Sequence, residues 1–381
     1  MERFSKKSQG SLHLEDLVTC YGRIGVERAL EFLKEQQQST NQFSIKWDGA
    51  PAVVFGWHPI TEQFFVSTKS YFNKTSIYYT ETVDTGRPEV DAILNECFSL
   101  QDIIPAGKVY QGDVLFHGDL DLIEHNGTSY VVAHANTIAY CVPTGTKTAK
   151  EWTSARIGIA VHSEIRNGVT EPADLSEFKK VPEIYIPEQT HIKSTLSART
   201  SARLKQSIAV VESFKDKVPD YVFALVQEEQ EMFNKYLKNR GDLTNFHDEI
   251  GSFIAEQNEL RIAGIKTESI RKRYTESAND LYKRIQENHK NVWRIMAIHS
   301  QIQRAKDALI LDLQESTTGI ECFLINKYQQ LVTETNDGNI GHEGFMIESG
   351  PLQGVKLVDR ELFTKVNSSD IFAKGWNTNR R

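Results

Sequence analysis

Lys46-Trp47-Asp48-Gly49 closes an alternating apolar run of Phe43, Ile45 and Trp47, and the strand-like Ala52-Val53-Val54-Phe55 follows it. A lysine held at a strand end, partly desolvated beside other cations, loses its proton more easily, and the free amine can attack the α-phosphate of a nucleotide. Asp48 would orient that amine, and Gly49 would let the backbone approach a ligand closely. Such an attack gathers negative charge on phosphoryl oxygens and expels pyrophosphate. It therefore calls for a divalent cation, Mg2+ or Mn2+, and for fixed positive charges, for which Lys69 and Lys356 are the candidates. Taken alone the pattern is that of a surface turn after a strand; the order of the later segments gives it chemical meaning.

That order resembles the covalent nucleotidyltransferase superfamily of ATP-dependent polynucleotide ligases and capping enzymes, whose motifs I, Ia, III, IIIa, IV and V line one nucleotide pocket. Lys46-Trp47-Asp48-Gly49 resembles motif I, and Ser67-Thr68-Lys69-Ser70 resembles the basic motif Ia. Val109-Tyr110-Gln111-Gly112-Asp113-Val114-Leu115-Phe116 is similar to motif III, with Gly-Asp where the family usually has Gly-Glu. Ile157-Gly158-Ile159-Ala160-Val161-His162 stands where motif IIIa would fall, without its aromatic-Asp signature. His342-Glu343-Gly344-Phe345-Met346-Ile347 matches the Glu-Gly-apolar core of motif IV, and Gly354-Val355-Lys356-Leu357-Val358 resembles motif V, with Val358 in place of its second lysine. Leu12 to Gln36, Gly49-Ala50-Pro51-Ala52 and Val355 to Arg360 also look like an uncharacterised, phage-encoded branch of RNA-ligase-like proteins. The resemblance implies that Glu343 lies close to the metal and that Asp113, shorter than the usual glutamate by one methylene, contacts the ribose directly or through water. Tyr140 and His162 are the candidates for a flat face against the base.

The elements that must position these residues follow from periodicity. Residues 12 to 37 read as a helix weakened by Gly22 and Gly25. From about residue 42 to 190 short alternating runs predict strands at 43–47, 52–57, 64–68, 108–116, 129–133, 136–142, 156–164 and 183–187, with a helix at 89–98. Turn-rich separators predict hairpins and antiparallel sheets. From about 197 to 328 the chain is charged and poor in Gly and Pro, and its apolar stripes predict a bundle of three or four helices. The expected fold class is α+β: an antiparallel-sheet nucleotidyltransferase (ligase adenylation) domain from 1–196 plus 329–381, with a helical domain inserted at 197–328.

A chain of 381 residues can bury a substantial core, and its net charge of -7 argues against a general nucleic-acid coat while leaving room for a local basic groove. One basic cluster is Lys193, Arg199, Arg203 and Lys205; another is the tail of Lys374, Arg380 and Arg381. Cys20, Cys97, Cys141 and Cys322 show no paired spacing and read as reduced thiols of a cytoplasmic protein, the host cytoplasm if the chain is phage-encoded. No signal peptide and no membrane-spanning run is expected. The histidines lack a zinc-ligand spacing.

No OB-fold fits in the residues after Lys356, an expectation that moves the reading from DNA ligases and capping enzymes toward RNA ligases. The reaction implied has Lys46 taking AMP from ATP, passing it to a 5′-phosphate on RNA, and a 3′-hydroxyl displacing AMP; RNA or DNA ends are the expected partners. Lys365 is the candidate substitute for the missing motif V lysine. Two alternatives stay open: a ligase-like fold that only binds nucleotide or nucleic acid, and nucleotidyl transfer to a protein or small molecule. The helical insertion is a further candidate surface for a protein partner.

Overall fold

The alternation from Gln42 onward does form strands, and the stripes after Ser197 do form helices. A computed structural model describes residues 12–38, 42–135, 138–188, 192–193, 195–240, 245–317, 319–324, 341–348, 350–360 and 362. Lys365 and the basic tail lie outside the described residues, as does the side chain of Lys193. The elements run α1 (Asp16–Gln36), β1 (Gln42–Lys46), β2 (Ala52–Trp57), β3 (Phe64–Thr68), α2 (Pro88–Glu96), β4 (Val109–His117), β5 (Asp121–His125), β6 (Thr128–His134) and β7 (Ile138–Pro143). There follow α3 (Lys147–Ser154), β8 (Ile157–Arg166), β9 (Val169–Pro172), β10 (Ile184–Tyr185), β11 (Ile192–Lys193), α4 (Ala198–Lys215), α5 (Asp220–Glu228) and α6 (Gln230–Arg240). The chain continues through α7 (Phe246–Ile262), α8 (Glu268–Glu287), α9 (His289–Glu315), β12 (Glu321–Leu324), β13 (Gly344–Ile347) and β14 (Lys356–Val358). The class is α+β with mainly antiparallel sheets.

The chain divides into two compact units. One, the sheet unit, comprises 44–192, 317–344 and 362–381; the other, the helical unit, comprises 1–43, 193–316 and 345–361. The helical unit thus includes α1 and β14 as well as 197–316 of the expected insertion, whose end with β12 falls in the sheet unit.

In the sheet unit, one sheet has the order β10-β8-β4-β2-β3 with β9 on β8, and a second has the order β12-β7-β6-β5. Because side chains alternate across a strand, the register sorts the first sheet into two faces. Val53, Phe55, Phe64, Val66, Tyr110 and Val114 face α2 and its following turn, burying a core with Val90, Ile93, Leu94 and Leu100. The opposite face carries Ala52, Val54 and Gly56 on β2, paired with Asp113, Gln111 and Val109 on β4. Its apolar cluster is smaller, with Val54, Phe65 and Val109 covered by Tyr71 and Ile165. The second sheet closes on β12, which runs antiparallel to β7 with Cys322 opposite Tyr140. Residues 321–324 were expected at the end of the helical stretch. Phe323 and Cys322 instead find their burial in a pairing with a strand far back in the chain, which a local pattern does not reveal.

In the helical unit, α1 is broken at Gly22, whose φ of 57 is open to glycine at little cost. Six helices, α4 to α9, replace the expected three or four. Pro219 ahead of α5 and Asn288 ahead of α9 interrupt stripes that look continuous on a helical wheel. Lys306 on α9 forms a fully buried ion pair with Glu15 at 2.7 Å, and Arg360 holds Asp16 at 2.6 Å. β14 lies beside the chain start, the Lys356 amide donating to the Leu12 carbonyl and the Leu14 amide to the Lys356 carbonyl.

Candidate functional site

The site is built from segments far apart in sequence, all within the sheet unit. Lys46 is the last residue of β1, and residues 47–51 leave the strand as a loop fastened on two sides. On one side the Ala50 amide donates to the Val114 carbonyl at 3.0 Å and the Val114 amide to the Pro51 carbonyl at 3.1 Å, stitching the loop to β4. Gly49 is required by that approach: a Cβ there would lie 2.3 Å from the Val114 carbonyl oxygen. On the other side the Asp48 amide donates to the Tyr140 hydroxyl at 2.7 Å, and the Trp47 ring lies 4.8 Å from the Tyr140 ring. The loop is therefore anchored to both sheets.

Lys46 Nζ pairs with Glu343 and lies 3.6 Å from Asp48 Oδ1. The side chains of Lys46 and Glu343 are only 14% and 16% exposed, so the pair is largely shielded from water. Burial alone would lower the lysine pKa, but Glu343, Asp48 and Asp113 outweigh it and raise the pKa above the usual lysine value. The neighbours expected from the sequence were cations that would expel the proton. Those found are carboxylates that hold it, so the resting lysine is an ammonium.

Asp113 lies on β4 opposite Ala52 and Ala160. Burial and the Asp48 carboxylate push its pKa up to about 7, against the pull of Lys46 and Lys69. His162 Nε2 stands 3.7 Å from Asp113 Oδ2. Lys69 is exposed at the start of a 3-10 turn, Lys69–Phe72, directly after β3. Lys46, Asp48, Gly49, Asp113 and Glu343 are thus brought together, with Lys69 close enough for Asp113 to feel its charge. Lys356 lies in the helical unit, on β14.

The sequence named Tyr140 as a flat face for a base. Tyr140 is fully buried beneath the loop, so it acts as the loop's prop and offers no open face. Behind it, Cys322 Sγ lies 3.5 Å from His342 Nδ1. Burial raises the Tyr140 phenol and the Cys322 thiol well above their ordinary values and lowers His342 to about 4, so all three are neutral near pH 7. The packing of Trp47, His342 and Cys322 around Tyr140 had no signal in the sequence, because it depends on β12 pairing with β7.

Among the described residues no three His, Cys, Asp or Glu side chains are arranged as a ready metal cage. Magnesium does not need one, since it is usually bound through one or two carboxylates together with water and substrate phosphates. Asp48, Asp113 and Glu343 are hard oxygen donors of the kind it takes, so the residues present suit that ion. Among the described residues no helix is long and apolar enough to cross a membrane.

Residues 12–370 match the profile of a family of unknown function, DUF6267, and the chain belongs to that family. No curated protein and no solved structure matches the chain.

Proposed function

We propose that this member of the DUF6267 family is an ATP-dependent nucleotidyltransferase that uses Lys46 as its nucleophile and joins polynucleotide ends, with RNA as the leading acceptor. The observation that carries the reading is the shielded Lys46–Glu343 pair with Asp48 and Asp113 beside it, since two distant stretches of chain join the lysine's own loop around one amine. A structural ion pair needs one carboxylate; three around a single amine leave negative charge to spare for a cation-bound phosphate.

In the first step the Lys46 amine attacks the α-phosphorus of ATP. The Lys46 ammonium first gives one proton to water; a nitrogen–phosphorus bond then forms, the oxygen–phosphorus bond to pyrophosphate breaks, and a second proton leaves the nitrogen for water. Glu343 has to release the ammonium before attack, so ligand binding and deprotonation are linked. Bound Mg2+, held by Glu343 and Asp113, would supply positive charge at the phosphoryl oxygens. Asp48 orients the amine, Gly49 lets the loop pack closely against β4, and Lys69 offsets phosphate charge. In later steps AMP passes from Lys46 to a 5′-phosphate, and a 3′-hydroxyl displaces it. Adenine over guanine and RNA over other acceptors rest on the sequence resemblance, as does any role of Lys356.

A second reading is favoured by the raised lysine pKa: a binding protein in which Lys46–Glu343 is a permanent structural pair. Incubation with magnesium and each α-labelled NTP, followed by denaturing electrophoresis, separates the two. A lysine-bound label that disappears in Lys46→Ala supports catalysis, and its absence from folded protein supports the binder.

A further inference from the structure

The face of the first sheet that carries Asp113 continues, strand by strand, into an unusual surface. Ser67 and Phe65 on β3 pair with Val54 and Gly56 on β2, which in turn pair with Gln111 and Val109 on β4. These residues therefore share a face with Asp113. Over it lies the segment that follows β3. Its aromatic rings are stacked: Tyr71 on Phe65 at 5.1 Å with ring planes 13° apart, and His58 on Tyr78 at 5.0 Å with planes 25° apart. The segment is held in place by the reciprocal Val66–Tyr79 backbone hydrogen bonds, both 2.9 Å, and by the Ser67 hydroxyl donating to the Ile77 carbonyl.

Phe65 is buried and Tyr71 and His58 half-buried, but Tyr78, stacked on His58, and Phe72, edge-on to Tyr71, are open to solvent. Residues 72–78 are all exposed. Among the described residues, four of the twelve exposed large apolar side chains fall between His58 and Tyr79: Ile60 in the turn before β3, and Phe72, Ile77 and Tyr78 after it. Lys69 and Lys74 are exposed among them. In a chain of net charge -7, the stretch from His58 to Tyr79 contains two lysines and a single acid, Glu62. Exposed aromatic rings interleaved with cations are what a single-stranded polynucleotide needs, because every base has a face to stack and every residue a phosphate to neutralise.

We propose that this aromatic and lysine surface binds single-stranded nucleic acid and leads its end along the sheet toward Asp113 and Lys46. The direction of travel rests on the function proposed for Lys46; the binding itself does not. Bases stack on Phe72 and Tyr78, and Lys74 meets the backbone.

The test is fluorescence anisotropy of the full chain with labelled 12-nucleotide single strands of RNA and of DNA, and with a 12-base-pair duplex. Both single strands should bind more tightly than the duplex, and a preference between them identifies the source. The Phe72→Ala/Tyr78→Ala variant should weaken binding about tenfold or more, and Phe72→Ala alone, an exposed change that leaves the fold in place, about fivefold. Lys74→Ala should reduce the slope of log affinity against log salt by about 0.7, the loss of one phosphate contact. Tyr221→Ala, the loss of an exposed ring on α5, should bind as the wild type does, which separates this surface from exposed aromatic rings in general. Unchanged affinity in the folded Phe72→Ala protein, or no single-strand binding by the wild type, would overturn the proposal. So would self-association in sedimentation that Phe72→Ala abolishes without any effect on single strands. Absence of a lysyl-nucleotide alongside intact strand binding would overturn the catalytic reading alone.

Discussion

Lys46 and Glu343 stand 297 positions apart in the chain and form a largely shielded ion pair within the sheet unit. The pair holds the lysine in the form that cannot attack. Its energetic balance is uneven: burial works against the ammonium, and Glu343 is the largest influence restoring it.

Glu343→Gln should therefore let burial dominate and lower the lysine pKa. Modification of Lys46 by an amine-selective reagent at pH 8, followed by peptide mass spectrometry, should become several-fold faster. Lysyl-nucleotide formation should fall at least tenfold, because the carboxylate proposed to hold the metal is gone. An unchanged modification rate would show that Glu343 does not control the amine.

Asp113 gives a stability signature. Its folded pKa, about 7, is raised above the ordinary 3.8 by burial and by the Asp48 carboxylate. The folded state thus binds the proton more tightly than the unfolded state. The favourable contribution is complete below the unfolded pKa and is lost as pH rises through about 7. Asp113→Asn should be more stable than the wild type at pH 8 by on the order of 2 kcal/mol, with the difference shrinking toward pH 4. Urea denaturation at the two pH values measures this. Equal stability at both would mean that Asp113 is not under the strain described.

Gly49→Ala places a methyl group 2.3 Å from the Val114 carbonyl oxygen, a backbone atom that cannot step aside. The loop must leave β4, so the variant should lose the lysyl-nucleotide. Its thermal midpoint should drop by several degrees, consistent with a loss of about 2 kcal/mol.

Tyr140→Phe removes the acceptor for the Asp48 amide and keeps the ring against Trp47. The expected loss is about 1 kcal/mol of stability and a several-fold lower kcat for nucleotidyl transfer at unchanged KM, since the loop is displaced and no ligand contact is lost.

How much of this was legible in the sequence differs by residue. Lys46 at a strand end, the β2 and β3 strands and the Asp113 strand followed from short apolar runs between turn-rich separators; β2 and β3 are buried on both faces of their sheet. The contrast with β12 is physical: Cys322 and Phe323 are strand residues only because β7 is there to pair with them. Asp48, Asp113 and Glu343 belong to the pocket that the resemblance implies; their role as direct charge partners of Lys46 is what no local pattern encodes. Glu343 reaches the lysine through tertiary folding alone, and of the residues next to Lys46 in sequence only Asp48 indicates acidic surroundings. Tyr140 was noticed as an aromatic near the pocket, yet its place beneath the loop depends on a hydrogen bond from Asp48 that no spacing encodes.

The helical unit makes a separate prediction. Burial alone would raise the Glu15 carboxyl, but Lys306 and Arg360 outweigh it and hold it below its ordinary pKa. The stabilisation is present above the unfolded pKa and is lost as pH falls through the folded one. Lys306→Met leaves Glu15 buried without its nearest cation, and should destabilise the protein by about 3–5 kcal/mol. Lys306→Met with Glu15→Leu should recover much of that loss. Circular dichroism during urea unfolding at pH 7 distinguishes the two.

The most direct test of the central claim is transfer of α-labelled nucleotide to the protein in magnesium, after treatment with pyrophosphate to strip any nucleotide already bound. A label from one NTP should survive denaturation, map to Lys46 by mass spectrometry, and be absent from Lys46→Ala. A folded wild-type protein that takes no label from any of the four NTPs would contradict the lysyl-nucleotide mechanism and leave the Lys46–Glu343 pair a structural one.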